Sequence, residues 1–275
     1  MKPPMTPAEP APRTPGPPAP PACPPGRDLL AAKTVVVTAA AGTGIGSAVA
    51  RRCLQEGARV LVSDHHPRRL AETADKLAAE YGDRVASAVC DVTDEPQVQA
   101  LINTAVDRFG QLDVMINNAG LGGTCSVLEM TDEEWVRVLD VTLNGTFRCT
   151  RAALRHMVAQ GVGVVVNNAS VIGWRAQPGQ AHYAAAKAGV MAFTRCAALD
   201  VARYGIRVNA VAPSLAMHPY LAKTTTPELL AELETREAFG RAAEPWEVAN
   251  VMVFLASDYS TYLTGECISV SSQHP

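Results

Sequence analysis

Thr34-Val35-Val36-Val37-Thr38-Ala39-Ala40-Ala41-Gly42-Thr43-Gly44-Ile45-Gly46 is the stretch on which the fold turns. A β-branched run gives way to small residues and glycines, and helical periodicity follows to about residue 56. Glycines let a chain turn tightly and bring its backbone close to an anion, and a helix starting there points unpaired amides at the same spot. Many turns are glycine-rich. What gives this one weight is its place directly after the first strand.

Working outward, short β-branched runs alternate with amphipathic helical stretches. Strands are predicted at 34–38, 59–63, 85–90, 112–116, 162–167, 206–212 and 267–270, with helices at 45–56, 67–81, 95–109, 131–159, 181–204 and 245–257. Right-handed crossovers between such units place helices on both faces of a parallel sheet. The expectation is therefore an α/β fold with a doubly wound, parallel, seven-stranded sheet, forming a single domain over 28–275. Residues 1–27 hold twelve of the chain's 20 prolines and almost no large apolar side chain, so they read as a disordered tail.

Composition narrows the function classes. With 48% hydrophobic and 19% charged residues and a net charge of -3, nothing attracts a nucleic-acid backbone, and no apolar run is long enough to span a bilayer. The seven cysteines are scattered and odd in number, without a C-x-x-C pair. They read as free thiols in a reducing cytoplasm, with no metal site and no disulfide framework.

The second strand ends at Ser63-Asp64, 18 residues past Gly46, near the offset at which a carboxylate accepts hydrogen bonds from an adenosine ribose. Such a carboxylate repels a 2'-phosphate, so NAD is the expected cofactor. Arg68 and Arg69, just beyond, are the residues an NADP reading would use. Here the chain resembles the single-domain short-chain dehydrogenase/reductase family over roughly residues 30–272. Thr38, Gly42, Gly44, Ile45 and Gly46 look like its T-G-x-x-x-G-x-G loop, although Ala40 stands where the first glycine usually does. Asp91, followed by Val92, is similar to the carboxylate that contacts the adenine. Asn118, Ala119 and Gly120 belong to a stretch similar to the N-N-A-G motif closing the fourth strand.

Tyr183-Ala184-Ala185-Ala186-Lys187 opens a predicted helix, and a spacing of four puts Tyr183 and Lys187 on one face. A tyrosine titrates near ~10, and an ammonium one turn away favours its anion. Ser170, 13 residues upstream of Tyr183, follows a strand at the carboxyl edge where open sheets bind ligands. The resemblance implies that Ser170, Tyr183 and Lys187 are catalytic, with Tyr183 and Lys187 also holding cofactor. The family's fourth catalytic residue, an asparagine, aligns with Thr142, which can still bond a water. Pro213-Ser214 stands where the family usually has Pro-Gly.

Several stretches resemble a narrower actinobacterial subgroup that degrades the steroid ring C/D remnant, acting on indane alcohols that carry a coenzyme A thioester. They are residues 39–44, 63–66, 173–177, 244–248 and 273–275. The implied function is hydride transfer between NAD(H) and a secondary alcohol or ketone, on a small-molecule substrate such as a cyclic coenzyme A thioester. Trp174, Gln177 and Met217 are candidate substrate contacts, and Tyr220, Leu221 and Phe239 sit in an expected lid. Two alternatives stay open: a 3-oxoacyl thioester reductase, and a non-catalytic nucleotide-sensing protein. The long helices resemble the family's dimer interface, implying a homodimer or homotetramer.

Overall fold

The computed structural model describes residues 18–217 and 226–272. Seven parallel strands form one sheet in the order β3-β2-β1-β4-β5-β6-β7. They are β1 (Thr34–Val37), β2 (Arg59–Asp64), β3 (Val85–Val89), β4 (Val114–Asn117), β5 (Gly163–Asn168), β6 (Ile206–Pro213) and β7 (Cys267–Val270). The crossovers carry α1 (Ile45–Gln55), α2 (Pro67–Tyr81), α3 (Glu95–Phe109), α4 (Asp132–Leu139), α5 (Gly145–Gln160), α6 (Ala181–Val201), α7 (Pro227–Thr235) and α8 (Pro245–Ala256).

Strand alternation divides the core. Val35 and Val37 of β1 face one layer, packed with Val49 and Cys53 of α1 and Met252 and Leu255 of α8. Val36 faces the other, with Leu101 and Ile102 of α3 and Ala152 and Met157 of α5. Each large aliphatic side chain buried this way stabilises the fold by about 1.5–3 kcal/mol. The strand order reverses beside β1, between β1 and β4, and the loops leaving β1, β4, β5 and β6 converge at their carboxyl ends. That crevice is where an open α/β sheet takes its ligand.

Three sequence expectations are revised. The single helix foreseen over 131–159 is two helices joined by a π-turn at Asp140–Asn144, whose closing bond runs from Gly145 N–H to Asp140 O. A Cβ at Gly145 would lie 2.6 Å from Val92 Cγ2, so a glycine lets this turn sit against the loop after β3. The strand foreseen from 112 begins at Val114, because the Gln160 amide takes both backbone groups of Leu112, at 3.1 and 2.8 Å. The tail is anchored before residue 28. Arg52 donates to Pro24 O and Pro25 O at 2.9 and 3.4 Å, and Glu56 accepts from Arg27 N and Leu29 N at 2.8 and 3.1 Å. Arg52 and Glu56, themselves paired at 2.5 Å and buried, thus pin the residues around Pro24–Leu29. No helix of the described residues is long and apolar enough to cross a membrane.

Candidate active site

The nucleotide end is a cradle of backbone. Thr38 Oγ1 accepts the N–H groups of Asn118 and Ala119, both at 3.0 Å, tying the end of β1 to the end of β4. Asn118 Nδ2 donates back to Thr38 O and Ala39 O at 3.2 and 3.1 Å. A Cβ at Gly46 would lie 2.2 Å from Ala39 O, so this position requires glycine. Gly42 and Gly44 have no atom within 4 Å of where a Cβ would stand, leaving the outer side of the turn open. Gly44 caps α1 without a side-chain bond, and no acidic residue occupies the first turn. The amides at that terminus therefore suit a pyrophosphate, and the residues fit a dinucleotide.

Ala40 needs no glycine. It is buried with its N–H on Ser63 O at 2.8 Å, and the left-handed backbone falls instead at Ala39, φ 49°, and Gly42, φ 92°.

Asp64 ends β2 facing this loop. Its Oδ2 accepts from Ala41 N at 3.3 Å and its Oδ1 from His66 N at 3.0 Å. Burial pushes its carboxyl up, while the Ala41 bond and the charges of His65 and Arg69 pull it back. Asp91 shapes the turn after β3, accepting from Thr93 N and Oγ1 at 2.9 and 2.8 Å, bonds that hold its carboxyl below the usual range. Val92 packs on α5 through Gly145.

At the reacting end, α6 presents Tyr183 and Lys187 toward the loops after β4 and β5. Lys187 is 3% exposed, donates to Asn168 O at 2.5 Å, and stands 5.5 Å from the Tyr183 ring centroid. Ser170 caps the short turn Val171–Gly173, accepting from Ile172 N at 3.3 Å, and its hydroxyl acts on the Tyr183 phenol. The structure thus brings together the three residues singled out in the sequence.

The electrostatics differ from the sequence expectation. Burial pushes the Tyr183 phenol above its ordinary value, with the Ser170 bond opposing, and lowers the Lys187 ammonium to about 8. Desolvation thus outweighs the lowering expected from Lys187. The protein's own residues keep Tyr183 protonated at neutral pH, the form of an acid.

Thr142 spends its hydroxyl on the loop after β4. It is 0% exposed in the π-turn, and its Oγ1 accepts from Leu121 N at 2.9 Å and donates to Leu121 O at 3.1 Å. This clamp ties the loop after β4 to the π-turn. A Cβ on Gly120 would stand 3.4 Å from Lys187 Nζ, and one on Gly122 3.6 Å from the Tyr183 ring.

Pro213 ends β6, and Ser214 N donates to Val270 O at 3.1 Å. Beyond it Met217, half-buried, bonds to Ala243 O at 3.0 Å, so the expected lid is stitched to the start of α8. That lid contains α7. Phe239 is exposed, and Tyr220 and Leu221 lie outside the described residues. Trp174 stands 44% exposed on the loop after Ser170. Gln177 lines a cavity of about 440 Å³ with Cys125, Pro178, Gln180 and Ala184. Gln180 joins the two loops there, donating to Gly123 O at 2.7 Å.

Two residues that shape the site escaped the sequence reading. Asn168, whose carbonyl takes Lys187 and whose Nδ2 donates to Asn118 Oδ1 at 3.0 Å, carries no signal beyond its place at the end of β5. Glu237, buried after α7, accepts from Leu215 N at 3.4 Å and Ser272 Oγ at 2.8 Å, joining both ends of the lid to the end of the sheet. Nothing local in the sequence marks it.

Comparison with known proteins agrees with this geometry. A family model described as "Enoyl-(Acyl carrier protein) reductase" matches residues 39–272. A (5R,7aS)-5-hydroxy-7a-methyl-1-oxo-2,3,5,6,7,7a-hexahydro-1H-indene-carboxyl-CoA reductase of Mycobacterium tuberculosis is 64% identical over 251 residues, covering 91% of this chain and 96% of that protein. A cis-4-hydroxycyclohexanecarboxylate dehydrogenase of Sinomonas cyclohexanicum is 41% identical over 243 residues, covering 87% of this chain and 95% of its own. The crystal structure of a short chain dehydrogenase from Mycobacterium smegmatis superposes with a TM-score of 0.83 at 56% identity, covering 93% of this chain and 98% of that one. With its parallel sheet, glycine cradle and Ser-Tyr-Lys cluster, the chain belongs to the short-chain dehydrogenase/reductase family of oxidoreductases.

Proposed function

We propose that the protein reduces a ketone on a bicyclic, indane-type coenzyme A thioester with NADH. The observation that carries the reading is the cluster of buried Ser170, the Tyr183 phenol and the buried Lys187 ammonium, which stands 5.5 Å from the centre of that ring. When bound, the nicotinamide supplies the hydride. The remaining work falls to the chain. Ser170 and Tyr183 orient the substrate oxygen by hydrogen bonds, and Tyr183 Oη gives its proton to that oxygen as negative charge develops there. Lys187, fixed by Asn168 O, stabilises the phenolate left behind.

Asp64 supports NAD over NADP, because its carboxylate stands at the ribose end of the cradle with Ala41 N already on it. The indane thioester is supported by the Mycobacterium tuberculosis relative, and an alicyclic ring also by the Sinomonas relative. Trp174 and Gln177, on the segment that follows Ser170, are the residues we assign to an aromatic face and an amide for the substrate. We assign a second copy of this chain to the face of α5 and α6, where Phe147 and Phe193 meet edge to face at 6.0 Å over a cavity of about 470 Å³. Burial pushes the Cys53 and Cys90 thiols up to about 12, which makes them inert.

The test is kcat/KM for NADH oxidation against indanone thioesters, their free acids and linear 3-oxoacyl thioesters. Binding energy from the remote coenzyme raises transition-state stabilisation, so the thioester is expected to exceed its free acid by more than about tenfold, about 1.4 kcal/mol. Equal rates with linear thioesters would replace this reading with a 3-oxoacyl thioester reductase.

A further inference from the structure

We propose that Thr73 of α2 is a cofactor-positioning residue, whose hydroxyl holds the Gly42 amide and so fixes the glycine turn in the shape that presents the first amides of α1 to a pyrophosphate. The inference rests on the dinucleotide reading of the cradle. It does not depend on the choice between NADH and NADPH, since both carry the pyrophosphate.

The helix α2 turns one stripe toward the sheet. Leu70 and Leu77 are buried there, and Ala74 packs against the same core layer as Ala41 of the glycine turn and Ile45 of α1. Thr73 lies three residues past Leu70 and four before Leu77, so it shares this face, yet it is polar and half-buried. Its Oγ1 accepts the N–H of Gly42 at 3.1 Å, from 31 positions back in the chain. The one hydroxyl of the stripe is thus directed at the turn.

Three consecutive amides of that turn are held by three different parts of the chain. Ala40 N donates to Ser63 O at 2.8 Å, Ala41 N to Asp64 Oδ2 at 3.3 Å, and Gly42 N to Thr73. Gly42 stands at φ 92° with no atom within 4 Å of where a Cβ would be, so no packing fixes it, and the bond to α2 does. Just beyond lie the uncapped amides at the start of α1. A glycine without this tie visits both signs of φ about equally. Released from Thr73, the turn would have to be ordered by the nucleotide itself, and the loss falls on affinity and not on the chemical step.

Thr73→Val removes the hydroxyl and keeps the branched shape, whereas Thr73→Ser keeps the hydroxyl. The probes are NADH and NADPH, titrated at equilibrium by nucleotide fluorescence, with ADP and adenosine as competitors. In Thr73→Val the dissociation constants of NADH, NADPH and ADP are expected to rise together by about fivefold, the worth of one ordinary hydrogen bond. Adenosine, which has no phosphate, is expected to bind as it does to the wild type. kcat at saturating NADH and the melting temperature of the cofactor-free protein are expected to hold, and Thr73→Ser to restore the affinities. Unchanged ADP and NADH affinities in Thr73→Val would overturn the inference. So would a loss for adenosine as large as that for ADP, which would make Thr73 a direct nucleoside contact, or a loss that serine does not restore. Failure of the wild type to bind either dinucleotide would instead overturn the reading of the cradle.

Discussion

Lys187→Met turns the electrostatics of the site into a stability measurement. Burial lowers the ammonium from its ordinary 10.5 to about 8, and at about 1.4 kcal/mol per pH unit this corresponds to about 3 kcal/mol of folding free energy. Below pH 8 the full penalty of burying the charge is present. Between 8 and 10.5 the unfolded chain keeps a proton that the folded chain has lost, so stability rises with pH, and above 10.5 the penalty is gone. Methionine has similar length and no charge, so the variant lacks this slope while sharing every other titrating group. Its lost bond to Asn168 O shifts its stability by an amount that does not titrate. Urea unfolding by tryptophan fluorescence, at fixed protein concentration and at pH 7, 8, 9 and 10.5, measures both proteins. The wild type is expected to gain about 3 kcal/mol on the variant from the lowest pH to the highest. Parallel profiles, within about 1 kcal/mol, would refute the desolvated ammonium.

Three further outcomes follow from particular contacts. Thr142→Ala removes both bonds to Leu121 and is expected to cost about 1–3 kcal/mol of stability and to lower kcat, while Thr142→Ser restores both; an unaffected Ala variant in kinetics and unfolding would dismiss the clamp. Deleting residues 1–22 is expected to leave the melting temperature unchanged, whereas deleting 1–29 strips Arg52 and Glu56 of their backbone partners and costs about 3 kcal/mol or more; equal melting temperatures would show that the segment contributes nothing. Glu237→Ala is expected to raise the substrate KM and speed limited proteolysis of the lid without weakening NADH, with Glu237→Gln intermediate; unchanged KM and proteolysis would contradict the clip.

Much of the fold was legible because it depends on local patterns. The β-branched runs that became β1, β2 and β5, and the glycines around Gly46, announce themselves by period and by backbone need. Ser170, Tyr183 and Lys187 were legible through spacing and order. What escaped depends on groups far apart in the chain. The π-turn at Asp140–Asn144 lies where Gly145 closes on Val92, a contact that no helical pattern encodes. Thr142 reads as a weakened water site, and its two bonds to Leu121 span 21 positions of chain that no local pattern links. Tail residues rich in proline read as disordered, and the buried pair on α1 that captures them lies more than 25 positions downstream. The sign at Tyr183 turned on desolvation, which is a property of the packed loops.

The central claim is that Tyr183 is the proton donor to a substrate oxygen, and Tyr183→Phe tests it most directly. NADH oxidation with an indanone coenzyme A thioester would be followed alongside NADH binding by fluorescence, for wild type and variant. Removing one hydroxyl from a half-buried ring leaves packing in place, so binding should stay within about threefold while kcat/KM falls by at least ~100-fold. Retention of about a tenth of wild-type turnover with normal NADH binding would contradict the account and move the proton to another group.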